Sequence, residues 1–130
     1  MAENNTSSQP VFRVIVAGSR HYADYSQLRG VCDNLLADKS RTHRIVIVSG
    51  GAQGADSLGE DYARERGYSL KRYPAQWDKY GRAAGPIRNA EMARNADALI
   101  LFWNGKSSGS RNMKQEAEKQ GLPVRTVMID

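Results

Sequence analysis

The sequence predicts a three-layer α/β domain: a parallel sheet of about five strands with helices on both of its faces. Three observations lead there. Short runs rich in Val and Ile, or continuously apolar, recur along the chain; segments of helical periodicity separate them; and glycine-rich turns stand where several of the runs end. With 130 residues, 40% of them hydrophobic, the chain has material for one core and one domain.

The strand candidates are Phe12–Ala17, Arg44–Val48, Ser69–Tyr73, Ala98–Trp103 and Val124–Ile129. Runs such as Ile45-Val46-Ile47-Val48 have no polar alternation, as expected of strands covered on both faces. The first helix is predicted from Tyr25 to Ala37, with Asp24 or Ser26 as cap and Leu28, Val31, Cys32, Leu35 and Leu36 on one face. The second runs from Ala55 to about Arg66 and stops at Gly67, a residue suited to the left-handed cap. A third begins near Pro86, whose fixed φ fits a first helical position, and reaches Asn95. The fourth runs from Ser110 or Arg111 to Gln120, where Gly121 and Pro123 end it. Strict alternation of strand and helix with short links requires parallel pairing, and ligands of such sheets bind at the carboxyl ends of the strands, near the switch in strand order.

Residues 1–10 are polar and read as a disordered tail, leaving 11–130 as the folded domain. The start is unlike a secretory signal, and no apolar run approaches the roughly 20 residues of a membrane span, so a cytoplasmic protein without membrane contact is expected. Cys32 has no second cysteine to bond, and neither a His/Cys cluster nor an Asp cluster points to a metal; no metal and no cofactor is expected. Nineteen Lys and Arg against fourteen Asp and Glu give a formal charge of +5, spread without a basic run. That excess favours an anionic partner and fits a small ligand as well as nucleic acid.

Four loops fall at the predicted binding edge. The first strand runs into Ala17-Gly18-Ser19-Arg20-His21, and the second into Ser49-Gly50-Gly51-Ala52-Gln53-Gly54-Ala55-Asp56. There, Gly50 and Gly51 can take φ > 0 and admit a ligand to the backbone, Gly54 can bring the next helix close to its strand, and the N–H groups of the turn favour a phosphate. The spacing is neither the dinucleotide fingerprint nor a P-loop, and a tight strand-to-helix connection without a ligand would use the same residues. A long loop after the third strand carries Trp77, Tyr80 and Arg82, and Trp103-Asn104-Gly105-Lys106-Ser107-Ser108-Gly109-Ser110-Arg111 follows the fourth. Arg20 and Arg88 have the guanidinium fork that pairs with phosphate oxygens; a bridge to a neighbouring acid is the alternative for each. Ser49, Ser108 and Ser110 can donate hydroxyls, Ser110 can equally cap the fourth helix, and Asn89 can read a ribose or base edge. His21 can bond a phosphate, and Trp77 can stack on a base or simply pack as a lid.

Taken together, Ala17-Gly18-Ser19-Arg20, Ser49 to Asp56, Gly85-Pro86-Ile87-Arg88-Asn89-Ala90-Glu91-Met92 and Trp103 to Ser110 resemble the YspA-type, YpsA-related branch of the SLOG superfamily. The resemblance spans about Phe12 to Val127 and implies a Rossmann-like fold that binds nucleotides or nucleotide-derived ligands. With Trp77 from the long loop, the expected ligand site comprises Gly18, Ser19, Arg20, Ser49, Gly50, Gly51, Gly54, Asp56, Arg88, Asn89, Gly105, Ser108, Gly109 and Ser110. The superfamily includes a DNA-processing protein with a similar glycine turn, Arg-Asn pair and Ser-Gly-Ser turn, and the LOG phosphoribohydrolases.

The LOG enzymes carry Met-His-x-Arg-Lys and Pro-Gly-Gly-x-Gly-Thr-x-x-Glu segments, whose Arg and Glu assist cleavage of an N-glycosidic bond. Arg88 matches that Arg and Gly109-Ser110 the Gly-Thr, but the Glu position falls on Met113. A thioether can neither transfer a proton nor stabilise an oxocarbenium centre. Glu91, three residues after Arg88 and near it on a helix, is the candidate catalytic substitute, with Asp56 and Glu116 as the other acids in reach. The leading expectation is therefore binding or sensing of a nucleotide-derived small molecule. Hydrolysis of an N-glycosidic bond by Arg88 with Glu91 or Asp56, and single-stranded nucleic-acid binding, are the alternatives. The resemblance also raises a possible homodimer.

Overall fold

A computed structural model describes residues 9–130; most of the expected disordered tail, as far as Ser8, lies outside the described residues. Pro10, assigned to that tail, is tied down: its carbonyl accepts the Arg44 N–H at 2.9 Å.

Five parallel strands form one sheet in the order β3-β2-β1-β4-β5: β1 Val11–Gly18, β2 Arg44–Ser49, β3 Ser69–Arg72, β4 Ala98–Trp103 and β5 Val124–Met128. β1 is central, and its alternating side chains sort the molecule into layers. Val14 and Val16 face a core built with Leu28, Cys32, Tyr62 and Ala63, whereas Ile15 and Ala17 face Met92, Ala93, Met113 and Ala117. The first set comes from helices α1 (Tyr25–Leu36) and α3 (Ala55–Arg66), the second from α5 (Ala84–Arg94) and α6 (Ser108–Lys119). Helices thus cover both faces, and the chain reverses direction across the sheet between β1 and β4, the switch point.

Local chemistry explains the boundaries. Asp24 caps α1 through its side chain, which accepts the Gln27 N–H at 3.0 Å. Gly67 ends α3 in the left-handed conformation, φ +70°. Two short helices escaped the sequence pattern, α2 (Lys39–Thr42) and α4 (Trp77–Tyr80), because a single turn carries no periodicity. A 3-10 turn at Gly81–Ala83 joins α4 to α5, so α5 begins at Ala84 rather than at Pro86. The cap of α6 is Ser107, whose hydroxyl accepts the Ser110 N–H at 3.4 Å; Ser110 itself lies inside the helix and is buried.

Gly59 was not singled out from the sequence. A Cβ there would lie 2.8 Å from Val16 Cγ1, so the absence of a side chain is what lets α3 approach β1. That contact had been expected of Gly54.

Candidate functional site

The loops at the carboxyl ends of the strands enclose a cavity of about 1060 Å³. It is lined by Gly18, Ser19, Arg20 and His21 after β1, by Ala52 and Asp56 before and within α3, by Trp77 and Arg82, by Arg88 and Asn89 of α5, and by Ser107, Ser108, Gly109 and Ser110 at the start of α6. Ten of the fifteen residues of the expected ligand site therefore share one space: Gly18, Ser19, Arg20, Asp56, Trp77, Arg88, Asn89, Ser108, Gly109 and Ser110.

The glycine turn between β2 and α3 behaves differently from the phosphate cradle expected of it. Gly50, Gly51 and Gly54 do not line the cavity. The N–H of Gly51 donates to Ser49 Oγ at 3.0 Å, and that of Ala52 to Asp56 Oδ2 at 3.2 Å. Donors that a phosphate would need are thus taken by the turn's own side chains. Gly51 has φ +77°, but Gly50 is not in the left-handed region; it is small because Arg88 and Asp56 press against it. At Gly54, φ +77°, a Cβ would meet the Ser19 and Arg20 carbonyl oxygens at 2.3 and 2.4 Å, so this glycine locks the turn against the β1 loop.

Ser49 is also structural. Its buried hydroxyl donates to Glu60 Oε2 at 2.8 Å, and Arg72 grips the same carboxylate through Nε at 2.9 Å and Nη2 at 2.5 Å. The Arg72 bonds hold Glu60 below the usual carboxylate range. Glu60, missed in the sequence because an acid inside a helix reads as solvated, anchors the floor of the turn.

Asp56 and Arg88 form the electrostatic centre of the cavity. Asp56 is only 6% exposed. Burial pushes its carboxyl up from 3.8 to about 6, against the pull of the Ala52 N–H, Arg88 and the Gly18 N–H, with Glu60 pushing it further up. Arg88 donates through Nη1 to the Gly50 carbonyl at 2.6 Å and through Nε to Asn89 Oδ1 at 3.0 Å. Burial lowers the Arg88 pKa, Asp56 offsets part of this, and Arg20 adds to the lowering by like-charge repulsion. Arg20 is exposed and has no ion-pair or hydrogen-bond partner among the described residues. Two guanidinium groups thus converge on the cavity around one hard-to-ionise acid.

The first turn of α6 supplies neutral donors. The Ser108 and Gly109 N–H groups have no partner among the described residues, as expected at a helix start, and both residues line the cavity. Asn89 ties this wall to α5, donating to Asn112 Oδ1 at 2.8 Å. Asn104 accepts the N–H groups of Lys106 and Ser107 at 2.9 and 3.1 Å and so shapes the turn. Gly105, with φ +81°, serves this turn and does not line the cavity.

Glu91, the candidate catalytic acid, is exposed and lies outside the lining, because its position on α5 turns away from the sheet edge. Met113 is 2% exposed, packs with Ile15, Met92 and Leu101, and lines the cavity where the LOG carboxylate would be expected. Trp103 is not in the lining either: its Nε1 donates to the Ser107 carbonyl at 3.1 Å and steadies the turn before α6. Tyr22, Gln27 and Asn112, which line the cavity, were missed; they carry no motif, and only the folding of their segments onto one edge marks them. Among the described residues no group of three His, Cys, Asp or Glu side chains could hold a metal ion, and no helix is long and apolar enough to cross a membrane.

The fold is similar to that of two solved structures. DNA processing protein A (DprA) from Streptococcus pneumoniae superposes with a TM-score of 0.68 at 19% identity, over 93% of this chain and 51% of that one. This chain thus spans about half the length of that protein. The protein solved as TM1055 superposes with a TM-score of 0.62 at 23% identity, over 87% of this chain and 72% of that one. In sequence, the Gene 61 protein of Mycobacterium phage D29 is 37% identical over 119 residues, 86% of this chain and 93% of that protein. The model of the YspA, cpYpsA-related SLOG family matches residues 12–80. With that match, the phage relative and the five-stranded parallel sheet in agreement, the chain belongs to the YspA, cpYpsA-related SLOG family.

Proposed function

We propose that the protein binds a nucleotide or nucleotide-derived ligand in the switch-point cavity and leaves its glycosidic bond intact. The observation that carries this reading is the convergence of Arg20 and Arg88 with the unpaired first-turn N–H groups of α6 on one cavity. Charged forks and backbone donors in this arrangement suit phosphate oxygens. The phosphate lies against Ser108 and Gly109 rather than against the glycine turn, whose Gly51 and Ala52 N–H groups are occupied and whose glycines do not line the cavity. Asn112, whose Oδ1 accepts from Asn89, keeps its amide nitrogen for a ribose or base, and Trp77 offers a flat apolar face. Met113 in place of a carboxylate, and Glu91 outside the cavity, argue for binding over cleavage.

The test is a thermal-shift and calorimetric titration with AMP, ADP-ribose and NAD, using Arg20→Ala and Arg88→Ala as controls. A ligand at a hundred times its Kd stabilises the fold by about 2.7 kcal/mol. A shift abolished by Arg20→Ala, which removes no intramolecular bond, supports the reading; no shift with any of the three nucleotides overturns it.

One observation favours hydrolysis as a second reading. Asp56 lines the cavity with its carboxyl raised to about 6, a value suited to donating a proton to a departing base. Turnover of AMP to adenine and ribose phosphate, lost in Asp56→Asn while binding persists, would establish it; absence of turnover in the parent protein removes it. The likeness to DNA processing protein A supports a nucleic-acid occupant of the same mouth, for which affinity for a single strand would fall steeply with salt.

A further inference from the structure

Resting on the nucleotide reading above, we propose that the ligand is a dinucleotide whose two nucleoside halves lie on opposite faces of the sheet, joined by a pyrophosphate at the β1–β4 switch point. Three observations carry this. The cavity, about 1060 Å³, stands at the upper end of the roughly 300–1,000 Å³ of small-molecule sites. A single nucleotide would leave much of it to solvent.

The lining crosses the sheet edge. Tyr22 and Gln27 belong to the α1 side, the side of Val14 and Val16, whereas Trp77 and Arg82 stand beside α5, on the side of Ile15 and Ala17. Trp77 reaches α5 itself: its ring edge is 3.5 Å from where a Cβ on Gly85 would be. In open parallel sheets a crevice at the switch point that opens to both faces accommodates one nucleoside on each.

The two ends are chemically equipped and the middle is cationic. On the α1 side the Tyr22 hydroxyl donates to Gln27 Oε1 at 2.5 Å, which leaves the Gln27 amide nitrogen free to donate to the acceptor edge of a base. On the α5 side the Trp77 indole is 52% exposed and presents a face for stacking. Between them Arg20, from the β1 loop, and Arg88, from α5, bring like charges together, an arrangement relieved by an anion of more than one charge.

The experiment is calorimetric titration of the wild-type chain, Gln27→Ala and Trp77→Ala with AMP and with diadenosine diphosphate, the same nucleoside doubled through a pyrophosphate. Diadenosine diphosphate is expected to bind roughly tenfold or more tighter than AMP, because a second base is seated. Both substitutions should weaken it, while AMP, which fills one half, responds to only one of them. Equal affinities for the two ligands, or a dinucleotide affinity untouched by either substitution, overturns the proposal while leaving the nucleotide reading in place. Binding of neither ligand overturns the proposal, and absence of any shift with ADP-ribose and NAD as well overturns the nucleotide reading with it.

Discussion

Arg88 and Asp56 meet across Gly50: a Cβ on that glycine would stand 2.5 Å from Arg88 Nη1 and 2.9 Å from Asp56 Oδ2. The glycine leaves room for both side chains, and the Asp56 carboxylate takes the Ala52 N–H that the turn would otherwise present to a ligand.

Substituting the two glycines of the turn should separate binding from folding. Gly50→Ala pushes against side-chain ends that can move, so the chain is expected to fold with a loss of about 1–2 kcal/mol while Arg88 leaves the Gly50 carbonyl and AMP binding weakens. Gly54→Ala collides with backbone at a left-handed φ and should cost more than about 3 kcal/mol. Urea denaturation alongside calorimetry reads both.

Asp56 sets a pH dependence whose sign follows from its burial. Its carboxyl is raised from 3.8 to about 6 on folding, so between these values the native state holds a proton that the unfolded chain has released. The stability this group contributes is full below pH of about 4 and is lost as pH rises through about 6, by on the order of 2–3 kcal/mol. Asp56→Asn should abolish that part of the profile, visible as the difference between the two proteins' denaturation midpoints from pH 4 to 7.5. For the same reason affinity for ADP-ribose, whose pyrophosphate keeps its charge across this range, should rise as pH falls toward 6, since protonation of Asp56 removes a negative charge beside Arg88.

The network beneath the glycine turn should be worth more than any single bond in it. Glu60 is 7% exposed and accepts from both Ser49 and Arg72. Glu60→Ala is expected to cost about 2–3 kcal/mol, since it strands a buried hydroxyl, and Ser49→Ala about 1 kcal/mol. A double-mutant cycle on Ser49 and Glu60 should give a coupling above about 0.5 kcal/mol; strict additivity would show that the turn does not depend on them.

Met113→Ala tests the cavity floor. The side chain packs with the core formed by Ile15, Met92 and Leu101, so the expected loss is about 2–4 kcal/mol by denaturation. A loss below about 1 kcal/mol would mean that the thioether only borders solvent.

The layers of this protein are legible in its sequence because they depend on local and periodic features. Ile45-Val46-Ile47-Val48 forms a strand buried on both faces, Gly67 ends a helix, and the alternation of strand and helix requires parallel pairing, whatever the remainder of the chain does. The set of loops at the binding edge follows from the same alternation. What each residue in those loops does was decided elsewhere, by partners distant in the chain. Gly50 takes its role from Arg88, 38 residues on. Ser49 is a strut because Glu60 and Arg72 close on it, and Glu91 is excluded because α5 turns it outward. Residue type and spacing state which chemistry a side chain can perform; which donors are already satisfied, and by which neighbour, is a property of packing that exists only once the chain has folded.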